Sequence, residues 1–185
     1  MVCLVASSYG FAASVCPPQR LELSEKLSAV EKTASAENVD SYLQAFPTSF
    51  PQLMRQLFLE SCPAQPAPWE AHVKVLDTLF ARHSRDVLAA ELGASIGGIS
   101  IADGPNFFQL QVGRHAATDA ALFAGELLTF TPEQRESIIE FLVDWERSPT
   151  TENQHLVSEL RRLKLNELAD SIELAIKVRR LRYHA

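Results

Sequence analysis

The sequence predicts an all-α fold, a single compact bundle of eight or nine helices. Apolar side chains recur at helical spacing along almost the whole of its 185 residues. Alternating strand patterns are hard to find, and the links between apolar stripes are short and marked by Pro, Gly and capping residues. Those observations point to helices packed on helices. No fixed period repeats, which argues against a solenoid.

Taken in order, Leu23, Leu27, Val30 and Ala34 form one stripe of a first helix. A short helix follows from about Val39 to Ala45, with Asn38 as its cap, and Pro47 stops it. Ser49 caps a third helix, Phe50 to Leu59, with Pro51 in the first turn. The three prolines between Glu60 and Pro68 mark a loop too short to divide domains. Trp69, Val73, Leu76 and Phe80 stripe a fourth helix, and Ser84 opens a fifth that runs through Leu92. After a glycine-rich loop, Asp103 and Pro105 start a helix that runs to about Val112, and another runs from about Thr118 to Leu128. Thr131, Pro132 and Gln134 make a capping-box start for a helix with a broad apolar face. Leu156, Leu160 and Leu163 stripe the next. In the last, Leu168, Ile172 and Ile176 are shadowed by Leu174, Val178 and Leu181.

Composition narrows the function classes. At 46% apolar residues the chain is globular, not disordered, and no apolar run is clean enough for a transmembrane anchor. The formal charge of −6 argues against nucleic acid as a partner. That charge is uneven: from Leu156 onward the basic residues outnumber the acidic ones, 7 to 4, so the end is +3 and the rest −9. Three cysteines make no disulfide scaffold, and neither they nor the five scattered histidines have metal-site spacing. No cofactor is implied.

No charged side chain precedes Arg20, and the first residues are apolar, then small. Residues 1–14 read as a secretory signal, cleaved after Ala12 or Ser14, with 15–185 as the single helical domain. A start codon placed too far downstream would explain the missing basic n-region. The location expected is the periplasm or outside the cell. A buried N-terminal segment in a cytoplasmic protein is the alternative. With the signal removed, Cys16 and Cys62 remain, each followed by proline, and an oxidising compartment invites a disulfide between them or leaves two separate thiols.

The chemical motifs are weak. Gly93-Ala94-Ser95-Ile96-Gly97 matches the nucleophile-elbow pattern, but an elbow needs a strand before it, and Arg85 to Leu92 reads as helix. Glu152 and His155 have di-iron spacing in one copy where two are needed. The stretch from Ile101 to Gln109 places Asp103, Asn106 and Gln109 at a helix entrance, beside Phe107 and Phe108. These three polar residues are the candidate contacts for a ligand or partner; alternatively Asp103 is a cap and the amides are solvated.

Phe46, Pro47, Ser49 and Phe50, then His72-Val73, Ala102-Asp103, Phe108-Gln109, Phe141 to Asp144, and Glu152-Asn153 follow one another in an order that resembles a family of small exported helical bacterial proteins of unknown function. The resemblance covers residues 46–153. Trp69 stands where that family has Leu-Tyr after a proline, and Gly104-Pro105 follows Asp103. The resemblance implies a fold type and export, and no activity. The function expected is therefore protein–protein interaction of the inhibitor or immunity type, with an unidentified protein partner. The alternative is a hydrolase or small-ligand-binding protein using the Ser95–Gln109 loop, with His115 as a base.

Overall fold

The computed structural model describes residues 18–57, 67–98, 106–143 and 150–183. Among them are nine helices and no strands: α1 (Pro18–Lys32), α2 (Ala36–Ala45), α3 (Phe50–Leu57), α4 (Trp69–Ser95), α5 (Asn106–Thr118), α6 (Ala120–Leu127), α7 (Pro132–Val143), α8 (Thr151–Arg162) and α9 (Asn166–Tyr183). The all-α bundle expected from the periodicity is the fold. Residues 1–17, which include the expected signal and Cys16, and the segment containing Cys62 lie outside the described residues.

Helix boundaries follow local chemistry. The capping box at α7 forms in both directions: the Thr131 N–H donates to Gln134 Oε1 at 3.0 Å, and the Gln134 N–H donates to Thr131 Oγ1 at 3.3 Å. At α2 the cap is Ser35, whose hydroxyl accepts from the Asn38 N–H. The expected cap, Asn38, turns backward instead. Its side-chain amide donates to the Thr33 and Ala29 carbonyls and closes the end of α1. A side-chain amide can satisfy either end of a helix, and here the carbonyls left over by α1 take it.

Two expected helix limits move. The helix expected to end near Val112 continues to Thr118, running through Gly113, where α5 faces α8 with room for a side chain. A Cβ there would stand 3.6 Å from Glu152 Cβ of α8. The next break falls at Asp119, whose carboxylate accepts from the Leu122 N–H at 2.9 Å and starts α6.

The core is one continuous cluster to which every helix contributes. At its centre Phe108 meets Phe46, Trp69 and Phe141, with Phe50 on the far side of Phe141. Gly98 allows this ring to pack: a Cβ added there would collide with Phe141 and sit 2.9 Å from the Ser95 carbonyl. Gly97, at φ 76°, reverses the chain after α4, and its N–H donates to Ser137 Oγ at 2.8 Å. The glycines of the elbow-like motif thus end a helix, and no strand leads into them.

α4 is two helical arms joined at His83, which has non-helical φ −130° and ψ 39°. The sequence places its two expected helices on either side of this residue. The break lets the chain turn a corner, and α5 packs against both arms.

Candidate functional site

Two features could carry function: a polar clamp inside the corner of α4, and an apolar face on the outside of α7 and α9. The clamp centres on His115 of α5, a buried imidazole. Its Nδ1 lies 2.9 and 3.1 Å from the two Glu91 carboxylate oxygens, and its Nε2 lies 3.0 Å from Asp77 Oδ1. Asp77 and Glu91 sit 14 residues apart (91 − 77) on opposite arms of α4. In a straight helix that separation would span about 21 Å, far beyond the reach of one ring. The corner at His83 is what brings both carboxylates to it.

Phe80 stacks on the imidazole with centroids 3.9 Å apart and planes 3° from parallel. Arg114 pairs with Asp77 at the exposed end of the clamp. The Gln111 amide donates to the Val73 carbonyl at 3.1 Å. Glu91 is wholly buried, and burial pushes its carboxyl above the ordinary value, partly opposed by the hydrogen bond and charge of His115. A second tie, Arg85 Nε to Glu126 Oε1 at 2.7 Å, holds the second arm to α6.

The constellation has a base and two acids but no nucleophile on the base. Ser95 is buried, and its hydroxyl donates to the Glu91 backbone carbonyl at 2.8 Å. Both nitrogens of His115 face carboxylates. Among the described residues no group of three His, Cys, Asp or Glu side chains is placed to hold a metal. The arrangement ties the two arms of α4 together through one imidazole. It does not form an acyl-transfer triad between Ser95 and His115.

Nearby, Tyr42 and His72 form a second buried polar pair. Burial, followed by the charge of Arg20, pushes the His72 imidazole down from 6.5 to about 4, so it is neutral at pH 7. The Tyr42 hydroxyl, raised by burial and secondarily by Glu91 and Glu31, keeps its proton and donates to His72 Nδ1 at 3.0 Å. Trp69 also lies near parallel to the ring, with planes 19° apart.

Of the three polar residues singled out in the sequence, Gln109 alone has a side chain among the described residues. Asp103 lies outside the described residues, as does the side chain of Asn106, the first residue of α5. Gln109 is buried, and its amide donates to the Phe141 carbonyl, which ties α5 to the end of α7. Phe108 anchors the core while Phe107 is exposed. His155 is exposed on α8.

The apolar face is a groove of about 1180 Å³ walled by α7 and α9 and floored by α6. α9 is apolar on two opposite sides. Ala169, Ile172 and Ile176 are buried in the bundle, whereas Leu174, Val178 and Leu181 face outward, with Leu174 61% and Leu181 65% exposed. Leu128 from the end of α6 and Leu165 from the turn before α9 extend the patch along the groove. Its rim is charged in both signs, with Arg135, Glu136 and Glu140 on α7 and Glu167 on α9. Scattered apolar residues are ordinary on a surface, whereas Leu128, Leu165, Leu174 and Val178 all line this one groove.

No protein-family model, curated protein or solved structure matches this chain. Among the described residues, this all-α bundle has a buried polar interior and an open apolar groove beside α7 and α9. No helix among the described residues is long and apolar enough to cross a membrane.

Proposed function

We propose that this chain is an exported helical protein that acts by protein–protein contact, and that the α7–α9 face makes the contact. The observation that carries the reading is the contiguous outward set Leu128, Leu165, Leu174, Val178 and Leu181 beside an open groove. The polar interior supports the same conclusion from the other side, since its histidines are occupied by internal partners.

Inhibitor or immunity-type action suits the charge distribution. The body up to residue 155 carries −9, which would steer it to a basic target in a salt-dependent way. Export is supported by the charge-free N-terminal residues and by the resemblance to small exported helical bacterial proteins. The test uses immobilised wild-type chain and a Leu174→Glu variant, each exposed to cell-envelope extract at low and high salt. Specific retention by the wild type that falls with salt and is lost in the variant supports the reading; equal retention by both overturns it. The mass of the chain recovered from cells tests export, with cleavage after Ala12 or Ser14 expected and an intact Met1 contradicting it.

A further inference from the structure

We propose that His115 and Glu91 form a latch on the corner of α4, held shut by one proton between them and opened when rising pH removes it. The device lies in the interior, apart from the α7–α9 face. Its hinge is the corner itself. Residues 70–92 of α4 contain neither Pro nor Gly, the usual local causes of a sharp break, yet His83 leaves the helical conformation. The bend is therefore kept by what packs against the two arms, and His115 is bonded to both.

Each link of that bridge needs a hydrogen. Nδ1 stands 2.9 Å from a Glu91 oxygen and Nε2 stands 3.0 Å from Asp77 Oδ1. A bare nitrogen at either place would set a lone pair against a carboxylate. A neutral imidazole carries one hydrogen, so the bridge needs one more, on the ring or on Glu91. Charge makes the same demand. Glu91 is wholly buried, and Arg114 pairs with Asp77 at the exposed end. With the added proton the cluster is neutral; without it Glu91 is a buried anion facing a lone pair. Burial, which holds the Glu91 carboxyl above its ordinary value, favours keeping the proton.

The surrounding elements do not supply the missing charge. α2 presents Tyr42, whose hydroxyl keeps its proton within the field of Glu91. α6 presents Glu126, already tied to Arg85 of the second arm. α8 presents a further acid, Glu152, beside Gly113. None of the buried residues of α1, α3 or α7 is charged. Loss of the proton thus turns one link into a repulsion and frees residues 84–95 from α5. The far end of that arm holds two other helices. The Phe50 N–H of α3 donates to the Ile96 carbonyl at 2.8 Å, and the Gly97 N–H donates to Ser137 of α7.

Linkage makes the latch measurable. In the unfolded chain the imidazole is neutral above about pH 6.5 and both carboxylates are charged, so folding takes up one proton there. The folded form is the one that binds the proton, so the stabilisation is full below that pH and falls as the pH rises. Glu91→Gln and Asp77→Asn each bring the missing hydrogen in a side-chain amide and close the bridge around a neutral ring. Urea unfolding of the full chain from about pH 6 to about pH 9 compares them. Relative to either variant, the wild-type folding constant should fall about tenfold for each pH unit above about 6.5, until the latch opens. Amide exchange followed by NMR, corrected for its intrinsic pH dependence, reads the opening. In the wild type, residues 84–95 and the Phe50 amide should lose at least about tenfold in protection with rising pH, while α8 and α9 stay protected. Both variants should keep that arm closed. Should Glu91→Gln fail to fold, Asp77→Asn, at a side chain 39% exposed, carries the comparison. A wild-type stability profile parallel to the variants', or an arm whose protection is the same at every pH or falls equally in the variants, overturns the proposal.

Discussion

The buried His72 makes the fold sensitive to acid by an amount the structure sets. In the folded chain the imidazole takes a proton only near pH 4, because it is buried, with Tyr42 and Trp69 among its neighbours, and lies within the field of Arg20. Unfolded, it titrates at the ordinary 6.5. The folded value is the lower one, so on acidification the unfolded chain binds the proton first. The stabilisation is present above pH 6.5 and is lost as the pH falls toward 4. At about 1.36 kcal/mol per pH unit, that window is worth about 3 kcal/mol. Urea unfolding at pH 7 and pH 4 of the wild type and of His72→Asn measures it. Asn keeps an acceptor for the Tyr42 hydroxyl and cannot titrate in this range. Other carboxylates also respond to acid, but they respond in both proteins and cancel in the double difference. A wild-type loss larger than the variant's by about 3 kcal/mol is expected. Equal losses would refute the burial argument for His72.

Four further outcomes follow from the packing, the burial and the turns. Glu91→Ala leaves the buried His115 Nδ1 without its carboxylate and should cost about 3–5 kcal/mol in a urea titration, with Glu91→Gln costing less. Burial raises the Glu91 carboxyl, so it gains stability as the pH falls, opposite in sign to His72; Glu91→Gln should therefore lose more stability on acidification than the wild type does. Lys164 sits at φ 62° in the turn that closes α8, where the Leu165 N–H reaches the Leu160 carbonyl at 2.9 Å. Lys164→Gly should remove about 1 kcal/mol of backbone strain and raise Tm by about 2–4 °C in calorimetry. Gly98→Ala drives a methyl group into Phe141 and should cost about 1–3 kcal/mol, visible as a lower urea midpoint.

What could be read from the sequence depended on the distance over which each choice was made. The Thr131–Gln134 box is a three-residue matter and forms as its spacing says. Asn38 is also local, yet two helix ends lie within its reach, and sequence alone does not rank them. Gly113 stands inside α5, and the sequence carries no mark that tells a glycine tolerated within a helix from one that ends it. The clamp depends on three residues from separate turns of chain, joined by the corner at His83. One signal for it was available. Glu91 falls within the stripe of Val87, Leu88, Leu92 and Ser95, and a carboxylate on a buried stripe needs a partner. The outward residues of α9 were legible as a second apolar row, because its period is that of the helix itself. The stretch around Asp103 lies mostly outside the described residues. Its polar residues look like a site in sequence, while Gln109, the one whose side chain the structure describes, holds α5 to α7.

The central claim is that this bundle works through protein contact at the α7–α9 face. Site-specific photocrosslinking in the native cell tests it most directly, with the crosslinking residue placed at Leu174 in one strain and at the exposed Arg82, on the corner of α4, in another. Discrete protein adducts from position 174 and none from position 82 are the predicted result. No adduct from position 174, or the same adducts from both, would contradict the account.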